Sequence, residues 1–122
     1  MTPLPGPTRV ATPRKEDDDR IGVSVTPTAD GVSVTVRGEI DLDTVGLLRT
    51  ALLQAMASYD GAEVTLDLSD VSFCDSSGLN ALLRARQHAL CEHRRLTITA
   101  SSPQVTRLLE LTGSAALFRS AT

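Results

Sequence analysis

The chain has 122 residues, 41 % of them apolar and 2 % aromatic, with a formal net charge of −3. That length builds one hydrophobic core and not two. With Tyr59, Phe73 and Phe118 as its only aromatic residues, it has no base-stacking surface for single-stranded nucleic acid. The acid excess argues against any partner held through a phosphate backbone. No apolar run approaches the roughly 18 residues of a membrane span, and the N-terminus shows no signal-peptide pattern. Cys74 and Cys91 form neither a C-x-x-C pair nor a dense framework, so reduced thiols in a cytoplasmic protein are expected.

Residues 1–20 hold four prolines and the charged run Arg14-Lys15-Glu16-Asp17-Asp18-Asp19-Arg20. Such a stretch buries too little apolar surface to offset its ordering entropy, and a disordered N-terminal tail is expected. One folded domain is expected over 21–119, with 120–122 as a C-terminal end. Ile21, Val23 and Val25 alternate with polar or small residues, as do Val32, Val34 and Val36. Pro27 to Gly31 between them is turn chemistry, so a β-hairpin opens the domain. Gly38-Glu39-Ile40-Asp41 ends its second strand. A helix from about Asp43 to Tyr59 then carries Val45, Leu48, Leu52, Leu53 and Met56 on one stripe, capped by Asp41 or Asp43. Asp60-Gly61 stops it.

The central stretch runs from Val64 to Leu90. Val64, Leu66 and Leu68 alternate with Thr65, Asp67 and Ser69, the period of a strand. A short turn is expected around Asp70, and Phe73 and Cys74 supply an apolar anchor. Leu79, Leu82, Leu83, Ala89 and Leu90 then fall close to helical spacing, with the helix-start residues Asp75-Ser76-Ser77-Gly78 before them. Leu96 to Ala100 reads as the next strand. Ser102-Pro103 opens a short helix to Leu111, Thr112-Gly113 stops it, and Ala116-Leu117-Phe118 reads as a last short strand. The order β-β-α-β-α-β-α-β predicts an α/β domain: a mixed sheet of about five strands with parallel pairs, and three to four helices packed on it.

Two hydroxyls stand where the central strand hands over to its helix. Asp75 or Ser76 acting only as a cap is the commoner arrangement. Three features point further: two serines where one cap suffices, Gly78 where a side chain would obstruct close approach, and the apolar Phe73-Cys74 before the turn. A rigid exposed hydroxyl at such a place suits phosphorylation. The phosphate would add about −1.5 to −2 charges that a helix N-terminus tolerates and a docked partner does not. With Asp75 adjacent, and Glu39 and Asp41 near if the two loops share one sheet edge, the repulsion reaches several kcal/mol at about 6 Å and an effective dielectric near 20. About 2.7 kcal/mol is enough for a hundredfold loss of affinity.

Other chemistries fit less well. His88, Cys91 and His93 lack a fourth ligand and read as solvated helix-end residues rather than a metal site. Arg84, Arg86, Arg94 and Arg95 read as a solvated face with charges favourable to the helix dipole. His88 lies about 18 Å of helix rise from Ser76, too far to serve it as a base, and no G-x-S-x-G elbow exists. No glycine-rich phosphate loop is present either. The chain is therefore expected not to be an enzyme.

Asp75-Ser76-Ser77-Gly78-Leu79 after an apolar strand, Gly38-Glu39-Ile40-Asp41, and the run from Ser102 to Gly113 together resemble the bacterial anti-sigma factor antagonists, which are single STAS domains. The resemblance spans about Ile21 to Phe118. It implies a STAS-type fold and a partner-switching function. The unmodified antagonist binds an anti-sigma factor that is also a serine kinase, freeing a sigma factor and so regulating transcription. Phosphorylation of the serine after the Asp, here Ser76, abolishes binding, and a PP2C-type phosphatase resets it. Ser77, within the same turn, is the second candidate hydroxyl. By the same match Asp41, Asp75, Ser77, Gly78 and Leu79 belong to the docking surface. The domain itself takes no cofactor, since the kinase brings ATP and magnesium, and a monomer touching neither nucleic acid nor membrane is expected. Asn80 stands where the family often has glycine, and the tail exceeds the family's minimal domain. The alternative is a STAS scaffold subunit of a transporter or a stress-sensing complex.

Overall fold

A computed structural model describes the backbone of residues 8–9 and all of residues 19–119. Strand β1 (Thr8–Arg9) pairs antiparallel with β2 (Ile21–Thr28), setting Thr8 opposite Val25. The rest of the expected tail, and residues 120–122, lie outside the described residues. β2 and β3 (Gly31–Ile40) form the antiparallel hairpin; β3 pairs parallel with β4 (Glu63–Cys74), and β4 with β5 (Arg95–Ser101). The sheet order is β1-β2-β3-β4-β5, mixed as the element order requires.

The alternating residues meet across the register. Val23 sits opposite Val36, Val25 opposite Val34, and Val34 opposite Leu66, and all five are buried. Helix α1 (Val45–Ser58) covers this face with Leu48, Ala51, Leu52 and Ala55; α2 (Ser76–Cys91) does so with Leu79, Leu82, Ala85 and Ala89. The two helices pack on each other, α1 over β3 and α2 over β5. Helix α3 (Pro103–Leu111) rests on β4 and β5 through Val105 and Leu109. Its Ser102 cap accepts the Val105 amide at 3.3 Å, with Pro103 first in the helix.

Besides the strand that Thr8–Arg9 form within the expected tail, four expectations change. Around Asp70 there is no turn: β4 runs unbroken for twelve residues. Its pairing with β3 shifts register between Thr35 and Arg37 and again between Gly38 and Glu39, so β4 carries extra residues there as bulges. The polar run that imitates a turn is locally bonded, with Asp67 Oδ1 accepting the Ser69 amide at 2.9 Å and hydroxyl at 2.6 Å. Residues Ala115–Phe118 form a 3₁₀ turn instead of a strand. Leu117 N–H closes on Ser114 O, Arg86 Nε donates to Leu117 O at 2.9 Å, and Phe118 is buried, so both main-chain groups of Leu117 are bonded without a sheet. Helix α1 starts two residues late, because Asp41 to Thr44 form a bonded turn of their own.

Arg94 is the fourth. It is not on a solvated face: its side chain is 8 % exposed and fans across the end of α1. Its Nη1 donates to Met56 O at 2.7 Å, Nη2 to Tyr59 O at 2.7 Å, and Nε to Gly61 O at 2.8 Å. A cation thus satisfies the carbonyls that a helix C-terminus leaves over. Arg95 pairs with Glu63 at 3.3 Å across β4 and β5.

Candidate functional site

The βα loops after β3 and β4 lie side by side at the carboxyl edge of the sheet. Ile40 is in register with Cys74, and the Asp75 amide donates to Ile40 O at 3.2 Å. Asp75 itself is extended (φ −103°, ψ −170°), the geometry of a helix cap. Its Oδ1 accepts the Ser77 amide at 2.9 Å, the Gly78 amide at 3.3 Å and the Ser77 hydroxyl at 2.5 Å. These bonds hold its carboxyl below the usual carboxylate range, the Ser77 hydroxyl foremost and burial opposing.

The two serines therefore differ. Ser77 is half-buried and its hydroxyl is tied to Asp75. Ser76, the first residue of α2, is exposed, and its hydroxyl has no hydrogen-bond partner among the described residues. It sits at the positive end of a 16-residue helix with no acidic residue in its first turn.

Gly78 and Leu79 face inward. A Cβ on Gly78 would lie 2.6 Å from both Cys74 Sγ and Ile40 Cγ2, so the missing side chain lets α2 press onto the ends of β3 and β4. Leu79 is 7 % exposed and belongs to the core. Both residues fix the loop from beneath and offer partners little surface. Cys74 is half-buried, its thiol pushed up to about 11 by burial and then by the Asp75 charge. Phe73, expected as an anchor, points out instead and is 48 % exposed. Strand alternation sends Cys74 toward Gly78 and its neighbour the opposite way.

Asp41 organises the second loop. Its Oδ1 accepts the amides of Asp43 at 2.9 Å and Thr44 at 3.1 Å, while Oδ2 meets Arg20 Nη1 at 3.3 Å. Thr44, 1 % exposed, donates its hydroxyl to Glu39 O at 2.8 Å and accepts the Asp41 amide at 2.9 Å. Arg20 also lies 3.9 Å from Asp43. On the other side of this loop, Gly38 has φ +101°, and any side chain there would strike the Arg20 carbonyl. That close approach fixes Arg20 beside the acidic loop, and the Glu39 amide bonds Arg20 O at 2.8 Å.

Sequence reasoning missed Arg20, which it left in the tail, and Leu42, which is 77 % exposed between Asp41 and Asp43. The signal for Leu42 was present: it stands ahead of the expected helix with an acid on each side. Away from this edge, His88 Nε2 is 3.2 Å from Glu92 Oε2, and Cys91 is exposed. Among the described residues no group of three or more His, Cys, Asp or Glu is placed to hold a metal ion. No helix among them is long and apolar enough to cross a membrane.

A family model described as "Mlab, STAS domain" matches residues 23–119. The anti-sigma-B factor antagonist of Listeria monocytogenes is 31 % identical over 84 residues, 69 % of this chain and 73 % of that protein. That of Bacillus subtilis is 29 % identical over 93 residues, 76 % of this chain and 84 % of that protein. Among solved structures, an anti-sigma factor antagonist from Mycobacterium paratuberculosis superposes with a TM-score of 0.72 at 29 % identity over 84 % of each chain. SpoIIAA in its unphosphorylated form, at 22 % identity and a TM-score of 0.67 over 82 % of this chain and 88 % of that one, shares the fold. On the family match, the curated relatives and the sheet and helices that frame Ser76, the chain belongs to the anti-sigma factor antagonist family of STAS domains.

Proposed function

We propose that this domain is a phosphorylation-controlled antagonist that works by partner switching. Unmodified, it docks its carboxyl edge onto an anti-sigma factor with serine kinase activity, and so releases a sigma factor. The kinase, bringing ATP and magnesium, transfers phosphate to the Ser76 hydroxyl and the complex parts; a PP2C-type phosphatase restores the free serine. Asp41, Asp75 and Ser77 belong to the docked edge, and Gly78 and Leu79 hold it in shape. The observation that carries this reading is the contrast between the two serines: Ser76 is exposed with a free hydroxyl, while Ser77 is bonded to the cap.

The folded domain accommodates a dianion at Ser76, because the start of α2 presents positive charge there. Docking would press the same dianion out of water beside Asp75 and the Asp41–Asp43 loop. Losing water strengthens each repulsion: at about 6 Å and an effective dielectric near 20, a dianion and a carboxylate repel by about 5 kcal/mol before salt screening. Even half of that is close to a hundredfold in affinity. Release therefore needs no rearrangement of the fold.

The test is to incubate the protein with the source bacterium's anti-sigma factor kinases and ATP, then map phosphate by mass spectrometry and measure binding. Ser76→Ala should bind as tightly as the wild type and take no phosphate, and Ser76→Asp, which adds one charge instead of two, should bind about tenfold more weakly. Phosphate found elsewhere, or Ser76→Asp binding at wild-type strength, would overturn the proposal. A scaffold subunit would take no phosphate from any kinase and keep its partner whatever occupies position 76.

A further inference from the structure

We infer that Leu42 and Phe73 are the apolar anchors of the docking surface, and that the anti-sigma factor receives them in an apolar pocket with a basic rim. This rests on the antagonist reading above and says what chemistry the partner must present. Exposed leucines scattered singly mean little. Leu42 and Phe73 are different in where they stand and how they are held.

Leu42 is 77 % exposed, more than any other large apolar residue described. It is the tip of a loop fixed by the Asp41 carboxylate, which accepts two amides, and by the buried Thr44, which bonds Glu39 O and the Asp41 amide. A loop this firmly bonded holds its leucine outward before any partner arrives. Little order is then left to be imposed on binding. Phe73, 48 % exposed, lies three residues from Ser76, within about 11 Å along the chain. The Asp75 amide to Ile40 O bond brings the Leu42 loop to the other side of the same junction. A partner footprint of about 800 Å², roughly 30 Å across, is wide enough to reach both positions and Ser76.

The charge around them selects the partner. Glu39, Asp41, Asp43 and Asp75 line the two loops, against Arg20 on Asp41 and Asp43. An acidic rim around apolar side chains is met by a basic rim around an apolar pocket, with affinity carried at the centre and rate at the edge. Phosphorylation would leave both anchors in place and act on the charge alone.

Binding kinetics on an immobilised anti-sigma factor kinase of the source bacterium, at 50 and 300 mM NaCl, test this. Leu42→Ala should dissociate about 10- to 100-fold faster with the salt dependence of association unchanged. Phe73→Ala should dissociate several-fold faster, and the double variant should do worse than either. Asp43→Asn should show the reverse pattern: slower association, a weaker salt dependence and near-normal dissociation. Both anchors are at the surface, so melting temperatures should stay within a few degrees of wild type. Undiminished binding by the double variant, with the wild type bound, overturns this inference alone. No binding by the wild type overturns it together with the antagonist reading.

Discussion

Replacing Arg94 by methionine keeps most of the aliphatic stem and removes the guanidinium, and so isolates what that group contributes to the fold. Three main-chain carbonyls at the end of α1 lose their donor: Met56 O, Tyr59 O and Gly61 O, each bonded at 2.7–2.8 Å. Hydrogen bonds to a charged group contribute about 1.5 kcal/mol or more apiece. Gly61 is exposed and Tyr59 half-buried, so water recovers part of this, while buried Met56 has no such recourse. The desolvation of a side chain only 8 % exposed is also regained. The net loss is about 3 kcal/mol, which for a domain of about 100 residues lowers the melting temperature by roughly 12 °C or more. Urea unfolding followed by circular dichroism should show the midpoint falling with an unchanged slope. Arg94→Lys should recover only part, since one ammonium cannot span three carbonyls set around a planar fork. Arg94→Met melting within 2 °C of wild type would refute the argument that this residue closes α1.

Two further predictions concern the junction. The Asp75 carboxyl is held below its ordinary value, so its contribution to stability is complete above the unfolded-state value near 3.9 and is lost as pH falls through the lowered folded value. Asp75→Ala should therefore cost about 1–2 kcal/mol at pH 7, and acid titration should show a shallower loss of stability below pH 4 than in the wild type. A variant with the wild-type acid profile would show that the cap carries no such linkage. Gly78→Ala places a methyl group 2.6 Å from Cys74 Sγ and Ile40 Cγ2 and should cost about 1–3 kcal/mol, read from the urea midpoint. A neutral Gly78→Ala would mean that α2 does not press on the strand ends as described.

Most of the fold was written in local pattern. The alternation of Val23, Val25, Val32, Val34 and Val36 and the Ser102-Pro103 start of α3 are each decided by neighbours a few residues away, and the elements stand where those patterns put them. The Asp75 cap is of the same kind, since every group it bonds lies within three residues. At Asp70 and at Arg94, where the reading went astray, a distant contact had decided the matter. Ser69-Asp70 imitates a turn, but pairing with β3 carries the strand through it as a bulge. Arg94 looks solvated in a run of arginines, yet residues 33 to 38 positions earlier in the chain bury it.

The sequence by itself determined that a hydroxyl would stand where β4 meets α2 at a helix start, because capping is a property of four consecutive residues. The same local cap ties up Ser77 and leaves Ser76 free, whereas which residues surround that free hydroxyl only the tertiary structure decided. Leu42, Asp41 and Arg20 reach that edge through the Ile40–Asp75 and Arg20–Glu39 main-chain bonds, each between residues 19 to 35 positions apart. Phe73 faces outward because pairing and helix packing committed the opposite side of the strand to Cys74 and Gly78. Local chemistry names candidates; the pairing of distant strands decides which of them face solvent together.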